Sequence, residues 1–295
     1  MLNGENIRFV DIGAADGIEP RWDKVAPILH YIGFEPDERS STENEMTGNR
    51  FAKSEIYRKA VWEHPQSLKI NLAKKPQVSS YYTPNRSVVD LFPDSDRFNV
   101  VGSVELESVK LDDIELKSCD FMKLDIQGGE LSVLKGAEQL LKQNIGLEIE
   151  VEFIPVYCEQ PLFGDIAEYL KGQNYIFMDF VNLIRWERGA YSGYGQCVYG
   201  DALFLKPPET FIKSGRNDIV GISKYLSICL LYYRFDLMDT CVRLLSQEQT
   251  PQFSAFFTAI KPIREKHFRV RRINEFVTRF MKMVGGEDYK THVIY

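Results

Sequence analysis

The sequence predicts a doubly wound α/β domain with a mostly parallel sheet over residues 1–207, followed by a helical extension over 208–295. Three observations carry this. Short apolar runs rich in β-branched and aromatic residues recur through about residue 207, and amphipathic helical stretches lie between several of them. Lys206-Pro207-Pro208 then closes the alternation. Strands that alternate with helices imply βαβ units, whose right-handed crossovers lay the strands parallel.

The first strand, Ile7–Ile12, carries Asp11 near its end and runs into Gly13-Ala14-Ala15-Asp16-Gly17, a turn that opens a helix near Ile18–Val25. A second strand, Tyr31–Phe34, ends in Glu35-Pro36-Asp37. Residues 54–110 break the pattern. Two β-like pieces, Glu55–Trp62 and Leu68–Leu72, precede a polar stretch with Tyr81, Tyr82, Pro84 and Pro93, read as an insertion or mobile loop region. The alternation resumes with strand Phe121–Ile126, helix Glu130–Lys142, strand Gly146–Phe153, helix Gly164–Lys171 and strands Tyr175–Phe180 and Ala202–Leu205. Beyond Pro208, Ile219–Tyr233 and Asp236–Ser246 read as a helical hairpin, followed by helices over Pro251–Ile260 and Lys266–Met283. No period recurs, so no repeat array is expected.

Composition narrows the class. Hydrophobic residues at 44% and charged residues at 26% suit a globular core. A net charge of −6 argues against nucleic-acid binding by the surface as a whole. The five cysteines are an odd number, scattered and without a CxxC pair, which excludes a disulfide framework or structural zinc site. They read as reduced thiols of a cytoplasmic protein. The N-terminal residues lack a basic and then apolar leader pattern, and no apolar run nears the ~20 residues a spanning helix needs. His30, His64, His267 and His292 show no ligand-like spacing, so no metal site is expected.

Three segments carry chemistry. In the first, Gly13 and Gly17 let backbone approach a ligand closely, and the following helix N-terminus offers free N–H groups to an anion. Asp11 would then hold the ligand's ammonium end. Glu35 follows Gly13 by 22 residues, about where a doubly wound fold places the carboxylate that grips ribose hydroxyls. The glycines are spaced G-x-x-x-G rather than G-x-G-x-x-G, and an acid precedes the first by two residues. Such an acid repels a pyrophosphate and suits an ammonium, which favours S-adenosylmethionine over a nicotinamide dinucleotide. In the second segment, Lys123, Asp125 and Gln127 share one side of a strand. They form either an ion pair at the sheet rim or part of a ligand crevice at the strand's C-terminal end. In the third, Glu148, Glu150 and Glu152 line one face of a strand, which is either a half-exposed edge or a buried strand bringing Glu150 beside Asp125.

Together these segments resemble the FkbM-type methyltransferase family. The matching stretches are Val10–Gly17, Phe34–Pro36, Leu111–Ile114, Lys123–Gly136, Glu150–Tyr157, Gln160–Phe163 and Asp201–Phe204, spanning about residues 7–206 in the family's order. The resemblance implies a class I methyltransferase (Rossmann-like) fold, with a seven-stranded sheet ending in an antiparallel strand at Ala202–Leu205. It makes 1–207 an S-adenosylmethionine-binding domain, with Asp11, Gly13, Ala14, Ala15, Asp16, Gly17, Glu35 and Pro36 as cofactor residues. It also implies that Ala60 and Val61 sit near the adenine. The activity implied is O-methylation, often of sugars in glycans or of natural products. One departure is Gln127, which stands where the family usually has Glu, so any role of that carboxylate is absent or has moved to Glu130 or Glu150; the helical extension is another.

Methyl transfer from a sulfonium is an in-line displacement, and a sugar hydroxyl is a poor nucleophile. Asp125 or Glu150 is expected as the base that takes its proton, with Lys123 orienting one of them. Asp125 as a ligand of a divalent cation is the alternative. Specificity is expected in loops 74–100 and 185–200, which are rich in tyrosine. The acceptor is expected to be a small molecule or glycan, not a nucleic acid. Residues 261–282 hold eight Lys or Arg and two Glu, interleaved with apolar residues at helical spacing. This stripe either docks on the catalytic domain or meets phosphate on a membrane surface or a lipid-linked glycan. A rival reading, kept alive by Gln127, is an inactive cofactor-binding scaffold whose C-terminal helices recruit partners; another is a nicotinamide-dependent oxidoreductase.

Overall fold

The computed structural model describes residues 2, 4–36, 50–189, 193–247 and 249–285, without the side chains of Asp16 and of 274–285. Among these residues the first strands are β1 (Ile7–Ile12), β2 (Leu29–Phe34), β3 (Lys53–Tyr57), β4 (Ala60–Val61), β5 (Ser67–Ala73) and β6 (Val100–Val109). They are followed by β7 (Phe121–Leu124), β8 (Gly146–Glu152), β9 (Ile176–Trp186) and β10 (Gln196–Leu205). Seven of them form one sheet in the order β3-β2-β1-β7-β8-β10-β9. Neighbours from β3 to β8 run parallel, and β10 is antiparallel to both β8 and β9. This order, reversing direction between β1 and β7, is the class I methyltransferase arrangement. It matches the fold class expected.

The strands are apolar because both faces are covered. On one face Val10, Ile12, Met122, Leu124, Leu147, Ile149 and Val151 pack with Val133, Leu134, Leu141, Ile166 and Leu170 from the crossover helices. On the other, Trp22 meets Phe9 and Phe121 at ring distances of 4.7 and 4.8 Å. Trp22 belongs to the segment Pro20–Ile28, expected to be α-helical. It is a nine-residue 3₁₀ helix holding Pro20 and Pro27. Proline lacks the N–H that an α-helical ladder needs, so the tighter, short-lived winding prevails.

Residues 54–110 depart from the expected insertion or mobile loop. They build a second, three-stranded sheet in the order β4-β6-β5, and a single helical turn, α1 (Arg86–Val89), follows β5. The expected helix Glu130–Lys142 is two helices, α2 (Glu130–Lys135) and α3 (Glu138–Gln143). Gly136 stands at the break, where a side chain would collide with the Trp62 carbonyl. Next comes α4 (Phe163–Gly172). β8 lies between β7 and β10 with all but Glu150 buried, so the edge-strand reading of its alternating glutamates is overturned.

The chain divides into two compact units, Met1–Ile228 and Cys229–Tyr295, where the expected division stood at 207/208. The residues in between include α5 (Pro208–Lys213) and most of α6 (Ile219–Leu231). Phe211 stacks on Tyr225 at 4.6 Å, and the Tyr225 hydroxyl donates to Lys206 O at 2.9 Å, which ties them to the sheet domain. In the second unit, α7 (Phe235–Arg243) is followed by α8 (Ser254–Gly285). α8 is one 32-residue helix through Pro262, where two shorter helices were expected. Arg264 on α8 pairs with Asp239 on α7. Lys261, Lys266, Arg269, Arg271 and Arg272 are exposed alongside Ile263, Val270 and Ile273; the rest of that basic stripe lies outside the described side chains. Among the described residues, no helix is long and apolar enough to cross a membrane.

Candidate functional site

The C-terminal ends of β1, β2, β7 and β8 meet around the turn after β1. Gly13 adopts φ 85°, and any side chain there would collide with the Asp125 carbonyl oxygen. Asp125 N donates to Ile12 O, and Gly13 N to Phe34 O, each at 3.0 Å. The turn is thereby sewn to β2 on one side and β7 on the other. It continues as a three-residue 3₁₀ turn, Ala14–Asp16, closed by Gly17 at φ 75°. The expected α-helix N-terminus as an anion site is corrected: the next helix is 3₁₀ and begins at Pro20, which has no N–H to offer.

Strand register arranges the charged side chains of one sheet face in two rows. In the lower row Asp11, Lys123 and Glu148 are register partners on β1, β7 and β8. Asp11 is fully buried and accepts the Tyr31 hydroxyl at 2.6 Å, while its Oδ1 has no partner among the described residues. Arg21 donates to Glu148 at 3.1 Å. Burial pushes the Asp11 carboxyl up, partly offset by Lys123 and Tyr31. The Lys123 ammonium is disfavoured by burial, yet Asp11 and Asp125 hold its pKa above the ordinary lysine value. Charges alternate along this row and neutralise one another.

The upper row is acidic. Asp125 follows β7, Glu150 sits on β8, and Asp201 is the register partner of Glu150 on β10. Gln127 joins the first two: its amide Nε2 donates to Glu150 Oε1 at 2.6 Å and to Asp125 Oδ1 at 3.2 Å. The Tyr157 hydroxyl lies 3.2 Å from Gln127 Oε1 and 2.9 Å from Val78 O. The Ser80 hydroxyl donates to Gln127 O at 2.6 Å. These contacts fix Gln127 in the left-handed region at φ 59°, a conformation that costs a non-glycine residue free energy and clusters at functional sites. Lys123 Nζ approaches Asp125 Oδ2 at 3.5 Å. Burial, then the charges of Asp125 and Glu152, push Glu150 well above the carboxylate range. Asp201 is raised by burial and by Asp125.

Just behind the row, Glu130 opens α2 and accepts Ile126 N at 2.8 Å and Gly128 N at 3.3 Å, organising the loop that presents Gln127. Its burial raises it to about 7. Glu152 is raised by burial and by Glu130. The catalytic candidates Asp125, Glu150 and Lys123 are thus brought together. Sequence reading missed Tyr31, Tyr157 and Asp201 as members of the site, while Glu130, named as one place to which the carboxylate absent at Gln127 moves, stands directly behind it. Tyr157 and Asp201 lie inside the motif stretches that were matched, and only the folded chain shows where they go.

The cofactor candidates fall in two places. Asp11, Gly13, Ala14, Ala15 and Gly17 form the β1 end and turn, with Ala14 buried; the Asp16 side chain lies outside the described residues. Glu35, 6% exposed, receives Arg58 at its backbone oxygen at 3.3 Å. Pro36 and Ala60 line one cavity of about 310 Å³ together with Arg58, Lys59, Leu106 and Glu107. Val61 instead is buried in the core. In the loops expected to carry specificity, Tyr81 packs at a tilt against Trp62, ring centroids 4.8 Å apart, while Tyr194 is 70% exposed. Among the described residues, no group of three or more His, Cys, Asp and Glu side chains is arranged to hold a metal ion. His30 bonds Glu55, His64 is exposed and His267 stacks on Tyr233; His292 lies outside the described residues.

Residues 11–177 match the family described as Methyltransferase FkbM domain. Among solved structures, a methyltransferase FkbM from Methylobacillus flagellatus KT is 16% identical, with a TM-score of 0.42, over 68% of this chain and 43% of that one. This chain thus matches less than half the length of that protein. A precorrin-6y C5,15-methyltransferase from Geobacter metallireducens is 11% identical, with a TM-score of 0.37, over 68% and 81%. An rRNA methylase from Streptococcus thermophilus is 11% identical, with a TM-score of 0.34, over 68% and 88%. No curated protein matches the sequence.

Proposed function

The chain belongs to the FkbM methyltransferase family, whose members depend on S-adenosylmethionine, and from that membership we propose that it methylates a hydroxyl of a sugar, glycan or natural product. The residues fit the cofactor. Asp11 carries a fully buried oxygen with no donor among the described residues, the acceptor an ammonium requires. Asp11 would hold that ammonium, the turn Gly13–Gly17 would take the carboxylate end, Glu35 the ribose hydroxyls, and the cavity at Pro36 and Ala60 the adenine. When bound, S-adenosylmethionine supplies a methyl group made electrophilic by its sulfonium.

The chain's task is then to align an oxygen with that methyl group, exclude water and take the hydroxyl proton. The observation that carries this reading is the Gln127 amide, which holds Asp125 and Glu150 within hydrogen-bond reach of one nitrogen. Two carboxylates so fixed can share the proton that leaves the acceptor. Glu150, its proton affinity raised by burial and by its neighbours, is the stronger base of the pair, and Lys123 orients Asp125 from below. A base so placed contributes roughly 10²–10⁴-fold.

Calorimetric titration with S-adenosylmethionine, S-adenosylhomocysteine and NADH tests the cofactor half of the proposal. Binding of the first two alone is expected, with Asp11→Ala and Glu35→Ala each weakening it by about tenfold or more. Unchanged affinity in both variants sinks the site assignment, and binding of NADH alone would restore the oxidoreductase reading. Methyl transfer to any hydroxylated acceptor ends the inactive-scaffold reading; transfer only to nitrogen or carbon acceptors overturns O-methylation.

A further inference from the structure

One carboxylate suffices as a base, yet four stand at the upper end of this face of the sheet. Asp125, Glu150 and Asp201 stand side by side on the β7, β8 and β10 lines, and Glu152 lies one pleat repeat beyond Glu150. Adjacent strands are ~4.8 Å apart, so Glu150 and Asp201 stand roughly 10 and 14 Å across the sheet from β1 and its turn. The positive charge of a cofactor seated on that turn is near Asp11 and Asp125, not near Asp201.

Among the described residues, the cations nearest this row are committed elsewhere. Lys123 lies in the lower row between Asp11 and Asp125, Arg21 takes Glu148, and Arg97 stacks over Trp186 at 4.4 Å. Neutral amides from Gln127, Asn182 and Gln160 reach Asp125, Glu150, Asp201 and Glu152, but they bring no positive charge. A second observation is independent of the row. Glu152 is 3% exposed and has the neutral Gln160 amide at its carboxylate, yet its Oε2 has no partner among the described residues. A buried carboxylate oxygen without a donor is costly, and a charge-assisted donor is the partner that relieves it most.

Resting on the reading of Asp125 and Glu150 as the acceptor side of the site, the geometry points to an acceptor that brings its own positive charge. It is an amine-bearing polyol of the amino-sugar kind, whose ammonium lies among Glu150, Glu152 and Asp201 while its hydroxyl meets Asp125. The same row offers no cation to a phosphorylated or carboxylated acceptor.

The test is calorimetric titration of the chain with glucosamine, glucose and glucuronate. It is run on the chain saturated with S-adenosylhomocysteine and again with sinefungin, whose amine supplies the charge of the missing sulfonium. Glucosamine is expected to bind about tenfold more tightly than glucose in both complexes, with no binding of glucuronate. Asp201→Asn and Glu152→Gln are each expected to bring glucosamine down toward glucose while S-adenosylhomocysteine affinity holds. Asp201 is only half-buried, so its variant stays informative if Glu152→Gln does not fold. Equal or tighter binding of glucose or glucuronate overturns the proposal, as does no binding of glucosamine. A preference confined to the S-adenosylhomocysteine complex assigns the row to the sulfonium and overturns it as well. Failure of the cofactor reading shows separately, as no binding of either cofactor analogue, and the sugar preference is then read on the free chain with the same outcomes.

Discussion

β7 is flanked by an aspartate at each end, and the two are held in opposite ways. Asp120, just before the strand, is fully buried and surrounded by donors: Arg216, Lys224 at 3.0 Å and the backbone N of Arg8 at 2.8 Å. Asp125, just after it, has a side chain 31% exposed, one lysine at 3.5 Å and two more carboxylates beside it. The first aspartate is compensated on every side and its surroundings are closed. The second sits among like charges, open to solvent, at the sheet end where α/β folds bind ligands. A buried charge with all its partners speaks for stability, and a charge short of partners speaks for function.

The largest effects expected bear on the open end. Glu150→Gln and Asp125→Asn should each lower turnover on a true acceptor by about 10²–10⁴-fold while leaving cofactor affinity intact. Because Glu150 is held well above the ordinary carboxylate range, turnover should climb with pH through a limb above that range, and Glu150→Gln should erase the limb. Near-normal rates in both variants would dissolve the contrast. At the closed end, Asp120→Ala takes the shared buried carboxylate from Lys224, which is itself buried, and from the half-buried Arg216, and should cost about 3–5 kcal/mol in denaturant unfolding. Asp125→Ala should cost far less, since it removes a like-charge neighbour as well as an ion pair. A larger loss from Asp125→Ala than from Asp120→Ala would invert the assignment of the two ends.

The smallest effect sharpens the comparison rather than breaking it. Glu130 is raised from its usual 4.5 to about 7, so the folded chain binds its proton more tightly than the unfolded chain does. Its contribution to stability is full below about pH 4.5 and is lost as pH rises through about 7. Thermal unfolding followed from pH 5 to pH 8 should show Tm falling by a few degrees, with Glu130→Gln flattening the trend. A variant with the slope of the parent chain would mean that Glu150, Glu152 or Asp11 carries it instead.

Much of the sheet is legible in the sequence because its strands are buried on both faces and read as apolar runs. β1 was bounded at Ile7 and Ile12 from those runs and from the turn that follows. β6 was not seen, since Val100 to Glu105 are exposed and nothing in their alternation sets them apart from a loop. The glutamates of β8 mimicked an edge strand because alternation records which side chains differ, not whether both faces are covered. At the site, Lys123, Asp125 and Glu150 could be named from motif and period. Tyr157 and Asp201 could not, because a loop some thirty residues away brings Tyr157 to Gln127 and cross-strand register sets Asp201 beside Glu150.

Gly13 touches the Asp125 carbonyl so closely that no side chain fits between the cofactor turn and the strand of the base. If the proposed function holds, donor and acceptor pockets share one wall. A substitution that nudges one would nudge the other, and the distance between the methyl group and the attacking oxygen would be inherited from backbone rather than set by movable parts. Positions for altering the acceptor would then lie away from that seam, along β10 and the loop carrying Ser80 and Tyr81, while changes at the seam would misalign both substrates at once.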